Sequence, residues 1–237
     1  MNLILLHDND FSSPSTVILV GRRLQHVLEV HRAGVGDELR VGKIGGLLGS
    51  GRVVELSAER LTLEVRLDRP PPPPLPCTLI LALPRPKMLK RILQGVTSLG
   101  VKQIYLINSY RVEKSFWGSP LLQPEKLREQ LLLGLEQASD TLLPEVHLCP
   151  LFKPFVEDGL PAIVKGTNAL IAHPGADEPF PTSISGLTTL AIGPEGGFIS
   201  YEVEKLLECG FAAFHLGERI LRVETAVPVL LGRFLRV

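Results

Sequence analysis

The run Arg69-Pro70-Pro71-Pro72-Pro73-Pro74-Leu75-Pro76 limits what this chain can fold into more than any other segment. Consecutive prolines fix φ and carry no amide donors, so the stretch excludes a helix or a central strand. It reads as a short polyproline spacer, and the residues on its two sides follow different periodicities. The boundary falls near residue 72, giving domains 1–72 and 73–237. With 237 residues, 45% of them hydrophobic, both parts have enough apolar material for a core.

Before the prolines, Glu38–Val41, Gly51–Leu56 and Arg60–Leu67 alternate apolar and polar residues, with turns at Gly34–Gly36 and Gly42–Gly51. Alternation with such punctuation predicts antiparallel strands of a small barrel. A helix is expected over Gly21–Glu29. After the prolines, strand-like runs at Cys77–Leu83, Gln103–Ile107, Ala169–His173, Thr188–Ile192 and Ala212–Leu216 alternate with helical patterns. Leu89, Ile92, Leu93, Val96 and Leu99 fall at helical spacing before Gly100. Pro124 starts a second helix, with Leu127, Leu131, Leu135 and Ala138 along one face. Ser200 is expected to cap a third that Gly210 ends, and Thr225–Leu235 forms a fourth. This alternation predicts an α/β domain whose mainly parallel sheet is covered on both faces.

Cys77, Cys149 and Cys209 are odd in number and include no CxxC pair, which predicts buried free thiols in a reducing cytosol rather than disulfides or zinc. The six histidines show no HExxH spacing, so no metal is expected. The opening MNLILLHDND lacks a basic region, and its apolar run stops after Leu6. No later run approaches the roughly 20 apolar residues of a membrane span. A soluble cytoplasmic protein without a membrane partner is expected.

Two segments carry chemistry. In the first, an apolar strand runs into Gly193-Pro194-Glu195-Gly196-Gly197. In an open α/β sheet, ligands bind at the carboxyl ends of strands, and paired glycines let them approach the backbone. On spacing alone an ordinary turn is the alternative. The segment matches neither GxGxxG nor GxxxxGK, so dinucleotide and triphosphate loops are not indicated. Packing does not explain Glu195 among glycines, which favours a chemical or capping role. In the second segment, His215–Ala226, Arg222 and Glu224 flank a helix start where a carboxylate meets the positive end of the dipole. A helix cap with a surface ion pair is the alternative there.

Charge is informative only when resolved along the chain. The totals are 25 basic and 25 acidic side chains, and net zero argues against a polyanion partner. Residues 84–128, however, hold nine basic side chains, among them Lys87, Lys90, Arg91, Arg111 and Lys114, against Glu113 and Glu125. Residues 129–210 hold 3 basic and 12 acidic ones. With Tyr105, Tyr110, Phe116 and Trp117 nearby, the basic segment suits phosphate contact and base stacking. For Lys87–Arg91 alone, a solvated helix face is the alternative.

The runs IGPEGGF (Ile192–Phe198), LGERILRVETA (Leu216–Ala226) and LGVKQIYLINSYRVEKS (Leu99–Ser115) together resemble the motifs of the ribosomal RNA small-subunit methyltransferase E family. These are the uracil-N3 methyltransferases of the SPOUT superfamily. His26, Arg32 and Gly36-Asp37 match the family's H-x5-R-x3-GD pattern, and Glu136-Gln137 and Pro144-Glu145-Val146 fall in family order. The resemblance covers nearly the whole chain. It departs at Asp140, where many members have Arg, and in the absence of Arg from the first few residues.

The resemblance implies a PUA-like RNA-binding β-barrel, then a SPOUT α/β domain with a deep trefoil knot, in a homodimer. The apolar Ala226, Val229, Leu230 and Phe234 are available to that interface, or to an ordinary core. It implies S-adenosylmethionine as cofactor and N3 of a uridine in small-subunit (16S) ribosomal RNA as target. Cofactor-binding residues would be His173, then Gly193, Pro194, Glu195, Gly196 and Gly197, then Leu216, Gly217, Ile220 and Leu221. Arg111 or Arg222 would neutralise developing charge or hold a phosphate, and Glu195 would orient the donor or Arg222, or act as base. Glu224 would serve as Arg partner and helix cap. RNA contacts fall to Arg22, Arg23, His26, Arg32, Lys87, Lys90, Arg91 and Lys114. The rival readings are another SPOUT RNA methyltransferase with a ribose or transfer-RNA target, and a non-catalytic ribosome-assembly factor.

Overall fold

The computed structural model describes residues 3–182 and 184–235. They divide into two compact units, Met1–Pro73 with Leu132–Leu143, and Pro74–Leu131 with Pro144–Val237.

The first unit carries β1 (Ile4–Leu6), β2 (Phe11–Ser13), β3 (Thr16–Leu19), β4 (Glu38–Lys43), β5 (Leu48–Leu56) and β6 (Leu61–Arg69) in one sheet of order β1-β4-β5-β6-β3-β2. Neighbours are antiparallel except β1 and β4, which run parallel. Alternate residues bury a core that includes Ile4, Leu6, Val17, Leu19, Val41 and Leu63. The helix expected over Gly21–Glu29 is α1 (Arg22–His26), continued by a π turn (Val27–His31) that ends at Arg32 with φ 51°.

Leu3 and Leu5 point away from that core, as the period of two along a strand requires. They pack with Leu135, and with Leu132 and Leu143 at the edge. The Leu3 amide donates to the Glu136 carbonyl at 3.1 Å, and the Thr141 hydroxyl donates to the Gly46 carbonyl at 2.5 Å. Residues 132–143 therefore belong with the first unit, an excursion that a single boundary near residue 72 leaves out. No local pattern marks it, because the contacts join segments far apart in sequence.

The second unit carries β7 (Cys77–Ala82), β8 (Gln103–Ile107), β9 (Glu145–Cys149), β10 (Asn168–Ala172), β11 (Thr188–Ile192) and β12 (Ala212–Phe214). The order is β12-β10-β11-β7-β8-β9, and every neighbouring pair is parallel. Every residue of β11 is buried, as expected of a parallel strand covered on both faces. The helices are α2 (Pro86–Ser98), α3 (Pro124–Ala138), α4 (Phe152–Pro154), α5 (Leu160–Val164), α6 (Ser200–Glu208) and α7 (Val223–Leu231). The last turns of α3 fall in the first unit.

Three expectations need correction. Ser200 does not cap α6; Ile199 is the N-cap, and its amide donates to the Glu202 carboxylate at 3.0 Å. Helix α7 starts two residues before Thr225 and passes into a 3-10 turn at Gly232–Phe234, short of Leu235. Of the three thiols only Cys77 is buried, while Cys149 and Cys209 are half-buried. Burial pushes the Cys77 thiol up to about 12, and thiolate is the reactive form. Alkylation of the folded protein at pH 8 is therefore expected to label Cys149 and Cys209 well before Cys77. Peptide mass mapping over time checks this, and equal labelling of Cys77 would contradict the burial.

Among the described residues no helix is long and apolar enough to cross a membrane. Among them, too, no group of three or more His, Cys, Asp or Glu side chains is placed to hold a metal ion.

Candidate active site

Strands β10, β11 and β12 run parallel, with β10 between the other two, so their carboxyl ends lie along one edge of the sheet. The three loops that leave this edge surround an open cleft of about 80 Å³. Ala172, His173 and Pro174 line it from the first loop, and Ile192–Glu195 with Gly197 from the second. Phe214, Leu216, Gly217 and Arg219–Leu221 line it from the third, and Val223 and Ala226 of α7 complete the wall.

Among the residues expected to hold a cofactor, His173, Gly193, Pro194, Glu195, Gly197, Leu216, Gly217, Ile220 and Leu221 all face this cleft. Gly196 does not; its carbonyl accepts from the Arg111 guanidinium. Ala172, Ile192, Phe214, Val223 and Ala226, with Pro174 and Arg219, also line the cleft but were not among the expected cofactor residues, although Ile192, Arg219, Val223 and Ala226 lie inside the two motifs.

Glycine is required at specific points of this cradle. The Gly197 amide closes a turn onto the Pro194 carbonyl at 2.7 Å. Gly197 has φ +74° and Gly217 φ +101°, where a side chain is strained. His173 offers a polar atom that is otherwise unmatched. Its Nδ1 is buried without a hydrogen-bond partner among the described residues, and burial lowers its pKa, so the ring is neutral at pH 7.

Arg111 is exposed, in the loop after β8, and its side chain lies against Gly196, where its Cδ sits 2.8 Å from the place a Cβ would take. Arg222 is the N-cap residue of α7, with its side chain 85% exposed. Its carboxylate neighbour is Glu224, at 4.0 Å, rather than Glu195. Glu224 lies in the first turn of α7 and faces a separate groove shared with Arg91. Glu195 is exposed at the cleft rim.

The candidate RNA contacts differ in availability. Lys87, Lys90 and Arg91 on α2 are exposed, as are Lys114, Arg22 and Arg32. Arg22 pairs with the buried Glu136 at 2.7 Å. Arg23 is largely buried, its guanidinium held by the Asp10 carboxylate and the Leu5 carbonyl. His26 is half-buried, and burial first, with His31 second, lowers its pKa.

Residues 71–235 match the family model of the RNA methyltransferase domain. Over 233 residues the chain is 29% identical to the ribosomal RNA small subunit methyltransferase E of Treponema pallidum, covering 95% of this chain and 87% of the relative. It is 28% identical over 232 residues to the protein of that name from Synechocystis, covering 92% and 72%. Its fold is similar to the crystal structure of a ribosomal RNA small subunit methyltransferase E from Neisseria gonorrhoeae bound to S-adenosyl methionine. That likeness has a TM-score of 0.76 at 24% identity and covers 98% of this chain and 95% of the other. With 165 consecutive residues under the family model and a cleft built from the Gly-rich loops that model spans, the chain belongs to the RNA methyltransferases, in the group of ribosomal RNA small subunit methyltransferase E.

Proposed function

We propose that this protein is an S-adenosylmethionine-dependent methyltransferase that modifies N3 of a uridine in 16S ribosomal RNA. It acts in the cytoplasm as a homodimer. In this reading the first unit is a PUA-like RNA-binding barrel, and the second is a SPOUT domain whose loops close a trefoil knot. The observation that carries the reading is the convergence of three strand-end loops, one of them Gly193–Gly197, on a single cleft in a chain of this family.

The residues fit the cofactor. Ile192, Leu216, Leu221 and Val223 provide apolar walls for an adenine, Gly217 leaves open space for close approach, and the unmatched His173 Nδ1 is available to a polar group. When bound, S-adenosylmethionine supplies a methyl group on a positively charged sulfur. The chain's own part is to orient the uracil and to oppose the negative charge that grows on its carbonyl oxygens as the N3 proton leaves. Arg111, beside the Gly-rich loop, and Arg222, at the start of α7, serve that purpose. Glu195 at the rim orients the donor or receives the proton. The exposed Lys87, Lys90, Arg91 and Lys114 hold phosphates, where opposite charge and counterion release favour binding.

The test separates donor binding from turnover. Calorimetry with S-adenosylmethionine is expected to show one saturable site, and no binding would remove the enzyme reading. Small ribosomal subunits from a strain lacking the modification are expected to gain a methyl group on one uridine, located by mass mapping. Glu195→Ala and Arg222→Ala are each expected to lower kcat by about tenfold or more. Wild-type turnover in both would sink these roles, and a methylated ribose or transfer RNA would move the target.

A further inference from the structure

Glu202, in the first turn of α6, is a carboxylate with contacts beyond its own helix. It is only 2% exposed. Its Oε2 accepts from the Ile199 amide at 3.0 Å and from the Ser109 hydroxyl at 3.1 Å, while Oε1 accepts from the Tyr110 amide at 2.7 Å. The first bond is ordinary capping, an N3 carboxylate reaching back to the N-cap amide. That bond alone is compatible with a carboxylate in water. The other two come from the loop after β8, 93 and 92 residues away in sequence. Burying a carboxylate is costly unless its oxygens are satisfied. Here three donors and the positive end of α6 offset that cost.

The two distant donors lead directly to Arg111. Ser109 and Tyr110 precede it, and the Val112 amide closes the turn onto the Ser109 carbonyl at 3.0 Å. The Trp117 indole donates to Asn108 at 3.0 Å and fixes the other side of the loop. The crest of this turn presents the 80% exposed Tyr110 ring and Arg111. The Arg111 guanidinium donates to the Gly196 carbonyl. One carboxylate thus joins the base of the crest to the start of α6, two residues beyond the Gly193–Gly197 loop.

We propose that Glu202 is a positioning residue for methyl transfer. It locks the Ser109–Arg111 turn to the head of α6 and so sets where the Arg111 guanidinium stands over the Gly-rich loop. The proposal rests on the reading of Arg111 as the group that opposes developing charge. An arginine side chain is long and flexible, so its placement depends on how firmly the backbone beneath it is held. Misplacement by about 1 Å is enough to cost up to about a hundredfold in rate.

The test is a double-mutant cycle on the full chain, with small ribosomal subunits and S-adenosylmethionine as substrates. Glu202→Gln keeps the size but replaces one acceptor oxygen with an NH2 donor, so either the Tyr110 amide or the Ile199 amide loses its acceptor. Expected are a fall in kcat of about tenfold, a KM for S-adenosylmethionine within about twofold of wild type, and faster deuterium exchange at the Tyr110 amide. Arg111→Ala is expected to lower kcat, and Glu202→Gln added to it lowers kcat no further, because nothing remains to be positioned. A Glu202 that only caps its helix lowers the melting temperature without changing kcat, or changes kcat equally in both backgrounds; either result overturns the proposal. Wild-type kcat in Arg111→Ala alone would overturn the Arg111 reading, and the positioning role with it. If Glu202→Gln does not fold, Ser109→Ala removes a single donor and carries the same cycle with a smaller effect. Wild-type kcat in that variant also overturns the proposal.

Discussion

Gly193→Ala is expected to weaken S-adenosylmethionine binding by about ten- to a hundredfold while the protein stays folded. A Cβ at this position would stand 2.9 Å from the Phe198 amide nitrogen, 3.2 Å from the Phe198 ring and 3.3 Å from the Gly197 carbonyl carbon. Two of these neighbours are backbone, and the Phe198 ring is 4% exposed, so it has no room to swing aside. The loop itself must move. Overpacking of this kind costs about 1–3 kcal/mol, and about 1.4 kcal/mol corresponds to tenfold in affinity. The strain relaxes where the chain is least held, at the exposed Glu195 and Gly196, which is inside the cofactor cradle. Titration calorimetry checks the affinity and a thermal melt checks the fold. A wild-type Kd would mean that the cofactor does not depend on this loop.

Gly49→Ala is expected to be the most destabilising single methyl group in the first unit. Gly49 sits on β5 where the register with β6 shifts, Leu48 pairing with Arg69 and Gly49 with Leu67. At such a bulge the partner backbone crosses close to the strand. A Cβ on Gly49 would lie 1.8 Å from the Arg66 carbonyl oxygen and 2.8 Å from the Leu67 Cα. No rotamer relieves a clash with main chain, so β5 and β6 must part over several residues. A cost of about 3 kcal/mol or more follows, and with it a fall in Tm of roughly 10 °C. Differential scanning calorimetry decides, and a change within about 2 °C would show that the two strands do not approach as described.

Much of the second unit was legible because its sheet is parallel. Strands β8 and β11 were read at their full bounds, β11 because a strand buried on both faces is a short apolar run set off by punctuation. In β8, Gln103 and Tyr105 are half-buried, but Ile104, Leu106 and Ile107 still form such a run. Strand β9 was not, because it is an edge strand with a single neighbour, and its Glu145, His147 and Leu148 are half-buried or exposed. Strand β1 failed for the opposite reason. Ile4 and Leu6 enter one core while Leu3 and Leu5 enter another, so no alternation appears. At the site, the Gly-rich turns announced the loops, but nothing local showed that Ile192, Val223 and Ala226 of the two motifs meet Phe214 in one apolar wall. Glu202 looked like any carboxylate in a first helical turn. Its partners Ser109 and Tyr110 are brought to it only by the fold.

The excursion of residues 132–143 into the first unit also has a consequence for how the chain is made. Synthesis delivers residues 1–73 early, yet Leu3 and Leu5 wait for Leu132, Leu135 and Leu143 to emerge before that side of β1 is covered. The unit that begins first therefore finishes late. A nascent chain halted before residue 132 has Leu3 and Leu5 without Leu132, Leu135 and Leu143 to cover them.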